Sequence, residues 1–117
     1  MDYMSLYAEV TVRVGLNVQP GQQVIIQAPV STMPLVRLVT DAAYKAGASL
    51  VIPVLSDEYM SISRFANTSD EANFDVAASW LDDGIAQAFG DGAARLVILG
   101  NNPVAFKDIN PDILSRV

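Results

Sequence analysis

Residues Gln22 to Leu55, QQVIIQAPVSTMPLVRLVTDAAYKAGASLVIPVL, decide the fold. Val24, Ile25 and Ile26 form a short apolar, β-branched run, and Leu50 to Leu55 form another. Between them, apolar residues recur at Leu35, Leu38, Val39, Ala42, Ala43 and Ala46, which is the spacing of a helix face. Two strands separated by one helix need a crossover, and strands apolar on both faces suit a sheet covered on both sides. The stretch therefore predicts a βαβ unit of a parallel sheet. Ligands of such sheets sit beyond the carboxyl ends of the strands. Those ends are Ala28-Pro29-Val30, Ser56-Asp57-Glu58 and, after a third strand, Gly100-Asn101-Asn102.

Working outward, each boundary of the unit has a local cause. Pro20 and Gly21 upstream suit a type II turn, since proline presets φ at the second position and glycine accepts φ > 0 at the third. Ser31 or Thr32 is placed to cap the crossover helix, Pro34 falls in its first turn, and Gly47 stands at its C-terminal end. Pro53 removes one ladder N–H and so predicts an edge strand or a bulge; if the strand is at the edge, the order 2-1-3 is the natural arrangement. Ahead of the turn, Tyr3, Leu6, Tyr7, Val10 and Val14 predict an amphipathic helix over about residues 2 to 14. Asp2 would be its N-cap, Gly15 its terminator, and the apolar stripe would be core.

Downstream, Ser56 and Asp57 stand where such folds place their chemistry, and equally where a helix from Glu58 to Asn67 needs a cap. Thr68 to Glu71 reads as a capping box that starts another helix near Ser69. That helix is predicted to run, with an interruption, to Phe89 and to bury Phe74, Ala77, Ala78, Leu81, Ile85 and Phe89. Asp82, Asp83 and Asp91 lack the alternating spacing of a calcium loop and read as a solvated face and a turn. Gly90 and Gly92 mark the turn into a third strand, Ala94 to Leu99. The loop after it offers the side-chain amides of Asn101 and Asn102. Asn110-Pro111-Asp112, followed by Ile113 and Leu114, is the opening of a further helix. A helix of under two turns does not stand alone, so this pattern predicts the N-terminal piece of a longer protein. The expected fold is a single α/β domain over residues 1–117, three αβα layers around a small, mostly parallel sheet.

The totals narrow the chemistry. The chain has 117 residues, 51% of them apolar and 17% charged, which is one globular domain. A net charge of −6 argues against a phosphate backbone as partner. There is no cysteine and no histidine, so disulfides, thiolate chemistry, imidazole metal ligands and a triad base are all excluded. No apolar run approaches membrane-spanning length, and the N-terminus carries an acid where a signal peptide needs basic residues. The expected location is the cytoplasm.

The segment from Tyr7 to Glu58 resembles the opening of the thermophilic metalloprotease family of aminopeptidases, the aminopeptidase T and S type. The resemblance rests on Tyr7-Ala8, on Val14-Gly15-Leu16-Asn17-Val18-Gln19-Pro20-Gly21, on Ala28-Pro29-Val30, on Ala43 to Ala48, and on Ser56-Asp57. It implies a dimeric exopeptidase that removes N-terminal residues from peptides with a pair of divalent ions, zinc or cobalt. Those ions would polarise the scissile carbonyl and activate a bridging water. It also implies that the Glu, His and Asp ligands belong to a C-terminal catalytic domain, so that no catalytic or metal-binding residue is carried over onto this chain and the fragment binds no cofactor itself. On this reading the domain flanks the substrate cleft, with Ser31, Ser56, Asp57, Asn101 and Asn102 as candidate rim residues. The competing expectations are a free βαβ module that holds a small anion at Ser31 and Thr32 with Asn101 and Asn102 nearby, and a domain that serves only to dimerise.

Overall fold

The computed structural model describes residues 3–100. It is an α/β domain with three parallel strands: β1 (Gln23–Pro29), β2 (Leu50–Ser56) and β3 (Ala94–Val97). They lie in the order β2-β1-β3, with Val24 opposite both Val51 and Ala94. The predicted strand order and crossover are those observed. β1 extends to Pro29 and β3 stops at Val97, two residues short of its expected end.

α2 (Met33–Lys45) crosses between β1 and β2. Its end is a Schellman motif: the Gly47 N–H donates to the Tyr44 carbonyl at 3.0 Å and the Ala48 N–H to the Ala43 carbonyl at 3.0 Å. Gly47 adopts φ +102°, and a Cβ there would lie 3.1 Å from the Pro20 Cα. The close approach joins this end to the Pro20-Gly21 turn, where the Gly21 N–H donates to the Gly47 carbonyl at 2.8 Å. The turn is the predicted type II, with Gly21 at φ +82° and the Gln22 N–H on the Gln19 carbonyl.

The core lies on one face of β1. Val24, Ile26 and Ala28 pack there with Val36, Val39 and Ala43 of α2, with Val51, and with Ala8, Val12 and Val18 from the N-terminal helix. Ile25, on the opposite face of β1, is buried outside that cluster. On this face Arg95 donates from Nε to Gln27 Oε1 at 2.7 Å and stacks over the Phe89 ring of α4 (Ser79–Gly90). α1 and α2 thus cover one side of the sheet and α4 the other, the three layers expected.

Several local expectations are overturned. The first helix is α1 (Tyr3–Val10) running on into a π-helix, Thr11–Leu16, and it ends at Asn17, which takes the left-handed conformation at φ 49°. Gly15 lies inside the π-helix and terminates nothing; the wider π turn carries the end two residues further. The stripe of Tyr3, Leu6, Tyr7, Val10 and Val14 is exposed, Tyr3 by 84%. Ala8 and Val12 are the buried residues instead, so α1 meets α2 through its smaller side chains. Asp2 lies outside the described residues.

Thr32 does not cap α2. Its hydroxyl donates backward to the Pro29 carbonyl at 2.7 Å, closing a short 3-10 turn, Val30–Thr32, and Ser31 sits within that turn. Thr68 starts no helix either: it ends α3 (Glu58–Asn67), and Asp70 takes the cap, its Oδ1 accepting from the Ala72 N–H at 3.0 Å. Only a 3-10 turn, Glu71–Asp75, follows before α4. Asp70 wins because a carboxylate accepts more strongly than a hydroxyl and lies two residues nearer the free N–H groups. Ala77 and Ala78 are exposed, and Phe74, Leu81, Ile85 and Phe89 are half-buried. Of the second strand, the reading of two covered faces fails as well, since Val51 alone is buried. The helix opening expected at Asn110-Pro111-Asp112 lies outside the described residues.

Candidate functional site

The sheet's carboxyl edge is built from three chain reversals. β1 leaves through Pro29 into the Val30–Thr32 turn and α2. Ser56 stands in register with Pro29 at the end of β2. Asp57 follows and caps α3, its Oδ1 accepting from the Tyr59 N–H at 3.0 Å. The third reversal begins with the Ile98 N–H on the Gln27 carbonyl at 2.8 Å, and two residues later Gly100 meets the β1 turn. A Cβ on Gly100 would come within 2.7 Å of Thr32 Cγ2 and 3.8 Å of Ser31 Oγ.

The structure therefore brings Ser31, Ser56 and Asp57 to one edge, in two groups either side of Pro29. Ser31 lies on the side of β3, against Gly100. Ser56 and Asp57 lie on the side of β2. The chain leaves β1 toward β2 and returns to β3 on the other side, so β1 and β3 flank the topological switch point, where open α/β sheets hold their ligands. Asn101 and Asn102 lie outside the described residues. Sequence reading missed the approach of Gly100 to Thr32, and the one signal for it was a glycine directly after the expected end of the third strand at Leu99.

Chemically this edge offers two exposed hydroxyls and one half-buried carboxylate already engaged as a cap. No base lies beside a hydroxyl in the manner of an activated nucleophile, and the chain has no histidine to supply one. Among the described residues no three His, Cys, Asp or Glu side chains are grouped to hold a metal ion. The residues described do not fit a metal centre, and no catalytic step is assigned to them. No helix among them is long and apolar enough to cross a membrane.

The family model described as thermophilic metalloprotease matches residues 2–117. The chain belongs to this family. Within it, aminopeptidase T of Thermus thermophilus is 40% identical over 109 residues, covering 93% of this chain and 26% of that protein. Aminopeptidase 2 of Geobacillus stearothermophilus is 36% identical over 105 residues, covering 90% of this chain and 25% of the relative. The solved structure of wild-type AmpT from Thermus thermophilus superposes with a TM-score of 0.85 at 39% identity, over 97% of this chain and 28% of that one. The chain thus spans about a quarter of the length of the thermophilic metalloprotease relatives it matches.

Proposed function

We propose that the chain is the N-terminal α/β domain of a metal-dependent aminopeptidase, an enzyme that removes N-terminal residues from peptides. The observation that carries this reading is the pairing of near-complete coverage here with quarter coverage there: 93% of this chain aligns with 26% of aminopeptidase T. The metal ligands belong to a C-terminal catalytic domain, which holds two divalent ions, zinc or cobalt. The absence of histidine from these 117 residues supports that division of labour.

On this reading the domain walls the substrate cleft. The carboxyl edge of its sheet, with Ser31, Ser56 and Asp57 and with Asn101 and Asn102, forms part of the rim and meets the peptide through hydrogen bonds. The whole enzyme is a cytoplasmic homodimer. The test is to express the longer natural chain that contains this domain and assay an aminoacyl-anilide. Hydrolysis that a chelator abolishes and zinc or cobalt restores is the expected result. A reading frame that stops after Val117, or a long chain with no metal-dependent hydrolysis, overturns the proposal.

A further inference from the structure

The two outer edges of the sheet are finished differently. In a parallel ladder, alternate residues of a strand direct their N–H and C=O groups to opposite neighbours. Along β2 the outward series is Val51, Pro53 and Leu55, since the Val51 N–H donates to the Tyr44 hydroxyl at 3.0 Å rather than to β1. Pro53 has no N–H to offer. Two of the three outward positions are closed, one by α2 and one by proline, and only the Leu55 N–H is left. This is how a natural sheet blunts an edge that is meant to stay an edge.

β3 is short and carries Arg95, but no proline closes its outer edge, and the Arg95 side chain is drawn to Gln27 and the Phe89 ring. The Ile98 N–H points inward to Gln27, so Ile98, Leu96 and Ala94 form the inward series and Arg95 and Val97 the outward one. Among the described residues nothing accepts from the Arg95 or Val97 N–H. There is no proline or lysine on this strand, and the side chains at its end are apolar and open, Val97 by 46% and Leu99 by 85%. A bare, apolar edge of this kind is a template for another strand.

We infer that the outer edge of β3 is the joint at which a further parallel strand of the same polypeptide continues the sheet. The inference rests on the reading of this chain as a domain of a longer enzyme. Three observations select this occupant over a foreign one. The relatives are about four times as long as the matched region. Three strands are fewer than the four to six usual for such sheets. The sequence pattern Asn110-Pro111-Asp112, outside the described residues, predicts a helix opening after β3, as another crossover would need. A right-handed crossover continuing the β1-to-β3 direction places its strand beside β3, extending 2-1-3 to 2-1-3-4.

Residue-resolved amide exchange in the longer natural chain, without peptide, tests the inference. The Arg95 and Val97 amides are expected to exchange at least ~100-fold more slowly than the Leu55 amide, which serves as an open edge in the same molecule. Val97→Pro is expected to lower the melting temperature of that protein and Leu55→Pro to leave it nearly unchanged. Fast exchange at Arg95 and Val97 overturns the inference. So does protection that develops only when a peptide is added, which would make the edge a substrate strand site. Either result in a chain with metal-dependent peptidase activity removes this inference alone, whereas a chain without that activity removes the reading beneath it.

Discussion

The two halves of the domain are held together by different means. Every buried residue among those described falls between Ala8 and Val51, and none falls in α3, the Glu71–Asp75 turn, α4 or β3. The first half is a packed core around β1 and α2. The second is tied by polar and ring contacts: Arg64 donates from Nη2 to the Asn73 and Val76 carbonyls at 2.9 and 3.0 Å and lies over the Phe74 ring, which also touches Phe65. Tyr59, Met60, Val76 and Trp80 stand exposed on this half, Trp80 by 77%. The difference teaches that, among the described residues, the core belongs to the first half, while the second holds its shape through polar and ring contacts and leaves large apolar side chains open.

Substitutions sharpen the contrast. Ile26→Ala, in the centre of β1, is expected to cost about 2–5 kcal/mol, because the cavity it leaves is walled by a close-packed core. Chemical denaturation of this chain measures it, and a loss below ~1 kcal/mol would dissolve the distinction between the halves. Gly47→Ala comes next, at about 1–3 kcal/mol, since the new methyl must accept a left-handed backbone and the Pro20 Cα at 3.1 Å. Its cost appears in the same melt, whereas Gly90→Ala, with open space around it, should show none of that strain.

Arg64→Ala removes two carbonyl partners from the Glu71–Asp75 turn, worth about 1 kcal/mol on an exposed surface. Its effect is expected as faster proteolysis and amide exchange confined to residues 70–76, with the β1 amides unchanged. Trp80→Ala is the smallest, within about 0.5 kcal/mol in this chain because the ring touches little. In the longer natural protein the same change is expected to cost several times more. Equal effects in both contexts would mean that the exposed face of the second half has no partner.

What the sequence made legible follows the same division. The βαβ unit was readable because its signals are local and redundant: β-branched runs, a helix-period stripe, Gly47 at the helix end and Pro53 on the edge all point one way. The orientation of α1 was not, since Tyr3, Leu6, Tyr7, Val10 and Val14 make the more hydrophobic face while Ala8 and Val12 make the closer contact. Hydropathy ranks faces by composition, and packing chooses by fit. The cap at Asp70 rather than Thr68 was lost because both residue types suit a cap, and the stronger acceptance of the carboxylate chose between them. Ser31, Ser56 and Asp57 were legible as residues of the sheet's carboxyl edge from strand ends alone. The meeting of Gly100 with Thr32 joins residues far apart in sequence, and no local pattern encodes it.

The most direct test of the central claim uses this chain by itself. Purified residues 1–117, supplied with zinc or cobalt, are incubated with an aminoacyl-anilide beside a heat-treated control. The account predicts hydrolysis no faster than the control, since no described residues form a metal site and the chain has no histidine. Hydrolysis well above it would place the catalytic machinery within these 117 residues and contradict the assignment of this domain to the wall of the cleft.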